Sequence, residues 1–248
     1  MKAGFRDLSA IFINCSLKHD GTDSHTMRLL RRSAGIMEQE GVSVTVVHVL
    51  DHFVAFGMEK DLGTEYGKRD EWPDLQDQIM ASDILVLATP IWLGFTSSVA
   101  SLVIERMYAY SADTNDKGQY LYYGKTAGCI VTGNEDGVKA CSRDVLYAMQ
   151  HIGYTIPPQA DCGWIGDIGP GPSYGDVIDG TDTPAGYDSE FTNKNTTFMT
   201  WNLMHSARML RDNLGYPDRG NTQAGWRDVS NAADQAPGPV GESQQKQH

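Results

Sequence analysis

A turn that joins a proline to a tryptophan follows one buried-strand pattern in this sequence. The apolar run 84–88 predicts a strand, and Thr89-Pro90 comes directly after it. Because proline cannot donate a ladder hydrogen bond, we expect the strand to stop there. The residues that follow would lie at the carboxyl end of the sheet, where open α/β folds bind ligands. The candidates for holding a flat ligand here are Pro90, Ile91, Trp92, Leu93 and Gly94.

The loop after the first predicted strand, residues 16–26, combines four hydroxyl side chains with one lysine just ahead of a helix. A helix N-terminus carries free N–H groups and about half a positive charge, so it binds phosphate well. The candidate phosphate contacts are Ser16, Lys18, Ser24, His25 and Thr26. The alternative for Ser24 is that it merely caps the helix. Neither Gly-x-Gly-x-x-Gly nor Gly-Lys-Ser/Thr occurs in this loop, which argues against a Rossmann dinucleotide site or a P-loop.

A third polar loop, residues 132–137, follows another predicted strand. Its two glycines flank three polar residues, so the backbone can approach a planar ligand and direct its N–H groups toward it. The candidate contacts are Thr132, Gly133, Asn134, Glu135 and Gly137. Viewed alone, an ordinary strand-to-helix turn capped by Asp136 explains this loop equally well.

Strands and helices alternate along the chain and must position these loops. The predicted strands are 10–15, 42–48, 83–88, 126–132 and 155–162, and the predicted helices are 24–40, 72–81, 97–110, 138–152 and 197–214. Helical crossovers between strands indicate α/β architecture, a three-layer sandwich with a five-stranded parallel sheet. We expect the flavodoxin-like strand order 2-1-3-4-5. Strand order reverses between strands one and three, so the three loops meet at one crevice. In flavodoxin-like sheets this crevice holds flavin mononucleotide, FMN.

Two segments depart from this alternation. Residues 163–193 are rich in glycine and proline, and a long irregular segment inside a domain is either functional or a partner contact. Residues 221–248 are polar and lack an apolar period, which predicts a poorly ordered or surface-draped tail. We therefore predict one domain over residues 1–215, with an insertion at about 163–193, and a polar tail over 216–248.

Composition excludes several classes of protein. A net charge of −12 over 248 residues argues against a nucleic-acid or anionic-membrane surface. No apolar run approaches ~20 residues, and the N-terminus lacks the apolar core of a signal peptide. The four cysteines form no Cys-x-x-Cys pair, which argues against zinc and iron–sulfur sites. The strand-like contexts of Cys15, Cys129 and Cys162 favour small buried side chains. We expect a cytoplasmic protein without a metal centre or membrane insertion.

At these residues the chain resembles the flavodoxin-like NAD(P)H-dependent FMN reductase family, over about residues 11–153. The hydroxyl-bearing phosphate loop of the family is similar to residues 16–26, and its glycine-rich loop is similar to 132–135. Its Pro-hydrophobic-aromatic turn resembles residues 90–92, and its acid–arginine pair resembles Glu105-Arg106. A lysine that the family often carries in that helix is Ser101 here.

The resemblance implies non-covalent FMN, NADPH or NADH as electron donor, a small acceptor such as a quinone or free flavin, and a homodimer or homotetramer. Segment 163–193 would cover the flavin or reach a neighbouring subunit. We expect no dedicated proton-transfer residue, because the cofactor carries the hydride chemistry. Two rival functions are a flavodoxin-type electron carrier and a scaffold that has lost its cofactor. An enclosing segment at 163–193 argues for an enzyme rather than a carrier.

Overall fold

The computed structural model describes residues 4–19, 23–134, 136–169 and 171–233. Five parallel strands form the main sheet: β1 (Ser9–Asn14), β2 (Ser43–His48), β3 (Ile84–Trp92), β5 (Thr126–Gly133) and β6 (Asp161–Ile165). Their order is β2-β1-β3-β5-β6, and a short sixth strand, β4 (Phe95–Thr96), pairs antiparallel with β3. The predicted α/β fold with its flavodoxin-like strand order is therefore confirmed, with β4 as an addition.

Helices cover both faces of the sheet. They are α1 (His25–Gln39), α2 (Gly63–Tyr66), α3 (Trp72–Ala81), α4 (Ser98–Tyr108), α5 (Val138–Ile152), α6 (Glu190–Asp212) and α7 (Trp226–Ala233), with a 3₁₀ turn at Val49–Asp51. Alternate residues of a strand point to opposite faces. Ile11 and Ile13 accordingly pack into the core under α3, α4 and α5, whereas Ala10 and Phe12 pack into the core under α1 and α6. The sheet is thus the middle layer of three.

Strand β3 continues through Pro90 to Trp92, so the prediction that it stops at Thr89-Pro90 was wrong. The N–H of Cys15 donates to the carbonyl of Ala88 at 2.8 Å, which places the β1-facing backbone groups on the even-numbered residues of β3. Pro90 faces the same side, but β1 has already ended, so the missing N–H of Pro90 breaks no ladder bond.

The end of β3 forms a hairpin with β4. Ile91 pairs with Thr96 and Trp92 pairs with Phe95, which leaves Leu93-Gly94 as a two-residue turn. Both turn residues have positive φ, 51° and 81°, as a type I′ turn requires. The hairpin presents Trp92 outward with 53% of its surface exposed. The predicted exposed tryptophan is therefore present, but on a strand rather than in an open turn.

The last strand and helix differ from their predicted bounds. Strand β6 begins at Asp161 rather than at residue 155, because Pro157 and Pro158 have no N–H to donate. Helix α6 begins at Glu190 rather than at residue 197, with the Ser189 side chain accepting the N–H of Thr192 as a cap. The first turns of α6 are rich in threonine and asparagine, which are weak helix formers and conceal the helical pattern.

The start of the predicted polar tail contacts the domain. Gln119 Nε2 donates to the carbonyl of Pro217 at 2.9 Å and to Asn221 Oδ1 at 3.1 Å. Helix α7 follows, so this part of the segment has regular structure. Residues 234–248, the rest of the predicted tail, lie outside the described residues. Within the described part of the chain, no helix has the length and apolar character that crossing a membrane requires.

Candidate functional site

A cavity of about 600 Å³ opens where β1, β3 and β5 end and α1 begins. We call it the central cavity. Its lining consists of Ser16, Leu17, Lys18, Ser24, His25, Thr26, Pro90, Ile91, Trp92, Thr132, Gly133, Asn134, Ser173 and Tyr174. The three loops that the sequence singled out therefore meet in one place, as the strand order requires.

Some predicted contacts lie elsewhere. Leu93 is at the hairpin turn, 81% exposed and outside the cavity lining. Gly94 and Gly137 line a second cavity, on the side of edge strand β6. The extended β3 carries the Gly94 turn past the crevice, and Gly137 lies next to that turn, since a Cβ on Gly137 would be 3.2 Å from Gly94 Cα. Glu135 lies outside the described residues.

Sequence reasoning missed three lining residues. Leu17 is between two predicted contacts, and its apolar side chain gave no signal for phosphate chemistry. Ser173 and Tyr174 come from the irregular segment 163–193, where no periodicity indicates which residues face the protein. Glycine and proline content was the available signal, and it marks the segment rather than particular residues.

The hydroxyl groups at the start of α1 and in the residues before it differ in their hydrogen bonds. Ser24 Oγ accepts the N–H of Met27 at 3.0 Å, so Ser24 caps the helix, which was the alternative to a phosphate contact. A capping hydroxyl still has its own O–H to donate into the cavity. Thr26 Oγ1 lies 2.8 Å from Thr132 Oγ1. Ser16 Oγ is buried and has no hydrogen-bond partner among the described residues.

The loop ahead of α1 is fastened to neighbouring strands. The Ser16 N–H donates to Asn14 Oδ1 at 3.1 Å, and His48 Nε2 lies 2.9 Å from the carbonyl oxygen of Lys18. Because carbonyl oxygens accept, His48 carries its proton on Nε2 in this contact. These bonds fix the backbone of the loop, while Lys18 brings a positive charge to the cavity wall.

Residues 171–187, which we call the strap, form one wall of the central cavity. Ser173 Oγ donates to Asn134 Oδ1 at 2.8 Å, and Asn134 Nδ2 donates to the carbonyl of Pro172 at 3.2 Å. Tyr174 is fully buried, with ring-centroid distances of 5.8 Å to Trp164 and 5.3 Å to Tyr187. The strap is therefore packed onto the domain around Tyr174, whereas its residues 177–183 are exposed.

An ionic contact joins the strap to α1. Asp176 Oδ1 lies 2.9 Å from His25 Nε2 and 3.0 Å from Arg28 Nη1, and Asp176 Oδ2 accepts the N–H of Ser173 at 2.8 Å. Burial by itself raises the pKa of Asp176, but these donors lower it below its usual value. Asp176 is therefore an anion that holds two basic side chains of α1.

Another part of the cavity lining is apolar. It consists of Pro90, Ile91 and Trp92 together with Gly133. A Cβ on Gly133 would lie 2.9 Å from Ile91 Cβ, so the two strands approach closely because residue 133 is glycine. Such walls suit a planar ring held between backbone and aromatic side chain.

The cysteine nearest the cavity does not supply a reactive thiolate. Cys15 precedes Ser16 and is fully buried, and this burial raises the pKa of its thiol far above the usual value. Cys129, Cys141 and Cys162 are also buried free thiols, as expected for Cys129 and Cys162 from their strand-like contexts. Burial raises the pKa of Cys162 to about 12.

The fold and the central cavity together define a flavodoxin-like protein in which residues that follow β1, residues of β3 and residues at the end of β5 line one crevice. A family model described as NADPH-dependent FMN reductase matches residues 9–162. The chain belongs to the NADPH-dependent FMN reductase family. The resemblance inferred from the sequence is thereby confirmed, and the description of the family names NADPH and FMN.

Curated proteins and solved structures are similar to this chain, and three of them are described below. It is 55% identical over 208 residues to the divalent metal cation transporter MntH of Mycobacterium bovis, which covers 84% of this chain and 30% of that protein. It is 35% identical over 211 residues to 8-demethyl-8-aminoriboflavin-5'-phosphate synthase of Streptomyces davaonensis, which covers 83% and 79% of the two chains. The structure of RosB with the intermediate 8-demethyl-8-formylriboflavin-5'-phosphate gives a TM-score of 0.77 at 32% identity, over 94% of this chain and 89% of that chain.

The chain thus spans less than a third of the MntH relative, and the activity, substrates and partners of the whole protein are matters for proposal.

The central cavity fits FMN on its own chemistry. A buried Ser16 hydroxyl without a partner in the described structure, a helix N-terminus and Lys18 form a donor set for a phosphate. Gly133 and Trp92 provide flat surfaces for a ring. Both groups lie in one cavity.

Proposed function

We propose that this protein is an FMN-dependent NAD(P)H oxidoreductase that passes hydride from a nicotinamide to a small acceptor, such as a quinone or free flavin. The observation that supports this proposal is the lining of the central cavity, which includes both the unpartnered Ser16 hydroxyl and the aromatic side chain of Trp92. Bound FMN would supply the hydride chemistry, and the protein would orient it.

The side chains of the cavity have separate roles in this proposal. Ser16, Ser24 and Thr26 donate to the phosphate, and Lys18 offsets its charge. Pro90, Ile91 and Trp92 hold the ring together with the backbone of 132–134. The strap excludes water from the ribityl side. No side chain is assigned to proton transfer, because hydride passes between cofactor rings without one.

Charge limits the class of acceptor. The net charge of −12 disfavours polyanionic acceptors and makes a neutral molecule more suitable. The acceptor would enter the central cavity beside the hairpin, where Trp92 and Phe95 are 53% and 71% exposed. The same exposed apolar tip supports the proposal of a homodimer or homotetramer, which sedimentation of the purified protein would test.

A second function is chemistry on the flavin itself, with FMN as substrate. The similarity to the 8-demethyl-8-aminoriboflavin-5'-phosphate synthase favours it, because the structural match covers 94% of this chain and so extends past residue 162, where the family match ends. The strap lies in this extension. A flavodoxin-type electron carrier is the third alternative, and enclosure of the cavity by the strap argues against it.

One set of measurements separates these functions. The purified protein is titrated with FMN, and oxidation of NADPH and NADH is then followed with and without a quinone. The proposal predicts stoichiometric FMN binding and catalytic turnover that requires the acceptor. FMN binding without turnover would support the electron carrier. Mass analysis of the flavin after incubation tests the second function, since an altered mass means that FMN is consumed. Absence of any FMN binding would overturn all three.

A further inference from the structure

The contact between Asp176 and His25 joins two walls of the central cavity. His25 belongs to the first turn of α1 and lines the cavity, whereas Asp176 lies just outside the lining, two residues after Tyr174. Their 2.9 Å contact therefore closes the cavity from α1 to the strap, at the end where the phosphate donors lie.

The strap is held in position around this contact. Tyr174 is buried, Ser173 bonds to Asn134, and Asp176 also bonds to Arg28 at 3.0 Å. A Cβ on Gly175 would lie 2.6 Å from Arg28 Cδ, so the strap backbone rests directly on the arginine. Both oxygens of the Asp176 carboxylate are therefore held, Oδ1 by His25 and Arg28 and Oδ2 by the N–H of Ser173.

We propose that Asp176, acting through His25, is the residue that restricts this cofactor site to flavins ending in a single phosphate. The inference rests on the proposed function, because it assumes that FMN occupies the central cavity. Asp176 is a positioning residue in this scheme. It orients the His25 ring beside the phosphate and closes the wall that a longer ligand would have to pass.

Charge and space act together in this restriction. A monophosphate ends among the donors of α1 and needs no exit from the cavity. The second phosphate and adenosine of FAD would have to cross the His25–Asp176 contact, and the second phosphate would approach the Asp176 carboxylate. These two negative charges would repel each other.

The test compares affinities for FMN, FAD and riboflavin in the full-length protein. Asp176→Asn preserves size but removes the charge that holds His25 and Arg28. We expect the ratio of the FAD to the FMN dissociation constant to fall by about tenfold or more, while riboflavin affinity stays unchanged, because hydrogen bonds to charged groups are the strong ones. The matched control is Asp179→Asn, which removes an exposed carboxylate of the same strap and should leave all three affinities unchanged.

A second variant keeps the test decisive if Asp176→Asn does not fold. His25→Gln removes the other partner and should lower the same ratio. In the double variant the ratio of the FAD to the FMN dissociation constant should fall by less than the product of the two single-variant changes, because both act on one contact. Equal weakening of FMN, FAD and riboflavin would mean a merely structural role and would overturn the inference. An unchanged ratio in either folded variant would also overturn it. Failure of the wild type to bind FMN would instead overturn the proposed function.

Discussion

The hydroxyl oxygens of Thr26 and Thr132 lie 2.8 Å apart, and both side chains are buried. Thr26 is in the first turn of α1 and Thr132 is near the end of β5, so this bond fixes the helix start against the crevice. One hydroxyl proton is used between them, and the other remains to be donated. The phosphate end of the central cavity is thus built before any ligand binds.

Ser16→Ala tests the phosphate assignment without disturbing the fold. The Ser16 hydroxyl is buried without a partner in the described structure, so its removal breaks no internal hydrogen bond. We expect the unfolding free energy of the flavin-free protein to change by less than about 0.5 kcal/mol. FMN affinity should fall by about 10- to 100-fold, since hydrogen bonds to charged groups are worth roughly 1.5–3 kcal/mol. Isothermal titration and thermal unfolding measure the two quantities.

Ser24→Ala is the comparison for that variant. Ser24 caps α1 through the Met27 N–H, so its loss should lower the unfolding free energy by about 1 kcal/mol even without flavin.

Riboflavin, which lacks the phosphate, should bind wild type and Ser16→Ala alike. If Ser16→Ala loses riboflavin as strongly as FMN, its hydroxyl does not contact the phosphate.

Trp92→Ala should weaken FMN and riboflavin to the same extent, because Trp92 is assigned to the ring and not to the phosphate. Loss of an aromatic contact should weaken binding by about 0.5–1.5 kcal/mol, in addition to the loss from the apolar area that is no longer buried. Phe95→Ala is the control, since Phe95 is on the same hairpin but outside the cavity lining. Flavin fluorescence titration measures the affinities of both variants for FMN and for riboflavin. A loss confined to FMN would contradict the assignment of Trp92 to the ring.

Gly133→Ala should narrow the ring end of the cavity. Its Cβ would lie 2.9 Å from Ile91 Cβ, and overpacking of this kind costs about 1–3 kcal/mol. We expect a lower unfolding temperature together with weaker binding of FMN and riboflavin. Gly35→Ala provides the opposite case, because space is open around Gly35 within α1, and removing a helical glycine should stabilise by about 0.5–1 kcal/mol. Equal effects of the two variants would refute the close approach of β3 and β5.

The sequence could predict a parallel sheet covered by helices, because apolar runs alternate with helical segments. The strand order and the meeting of three loops were expected from flavodoxin-like sheets, whose order is 2-1-3-4-5. The path of β3 through Pro90 could not be predicted in the same way. It depends on where β1 ends beside it, and this is a tertiary relationship. The start of α6 was missed because threonine side chains bond to the carbonyls four residues back, as Thr196 Oγ1 does with Thr192, and such residues are weak helix signals.

The strap shows the same limit at the site. Tyr174 is fully buried and lines the cavity, yet the residues around it are glycine, proline and polar side chains without a period. Burial of a single aromatic residue in an irregular segment is decided by the surface beneath it, here Trp164 and Arg32. Local pattern therefore identified the segment as functional or partner-binding but could not select its contact residues.

Asp70 and Arg106 form an ion pair in which both side chains are fully buried. Arg106 Nη2 donates to Asp70 Oδ2 at 2.7 Å, and Arg106 Nη1 donates to the carbonyl of Ala55 at 2.7 Å. Burial by itself raises the pKa of Asp70, but Arg106 and the N–H groups of Leu62, Ala55 and Trp72 lower it below its usual value. The pair therefore fastens the segment between β2 and α3 onto α4.

Asp70→Asn leaves Arg106 buried beside a neutral partner and should lower the unfolding free energy by about 3–5 kcal/mol at neutral pH. Because the pKa of Asp70 is lower in the folded than in the unfolded protein, its contribution is complete above about pH 4 and is lost as the pH falls through the folded-state pKa. The difference between wild type and variant should therefore shrink below about pH 4 in urea unfolding. Asp74→Asn, which removes an exposed ion pair with Arg69, should cost no more than about 1 kcal/mol. Equal losses in the two variants, or a difference that grows toward acid pH, would show that the buried pair does not stabilise the fold in this way.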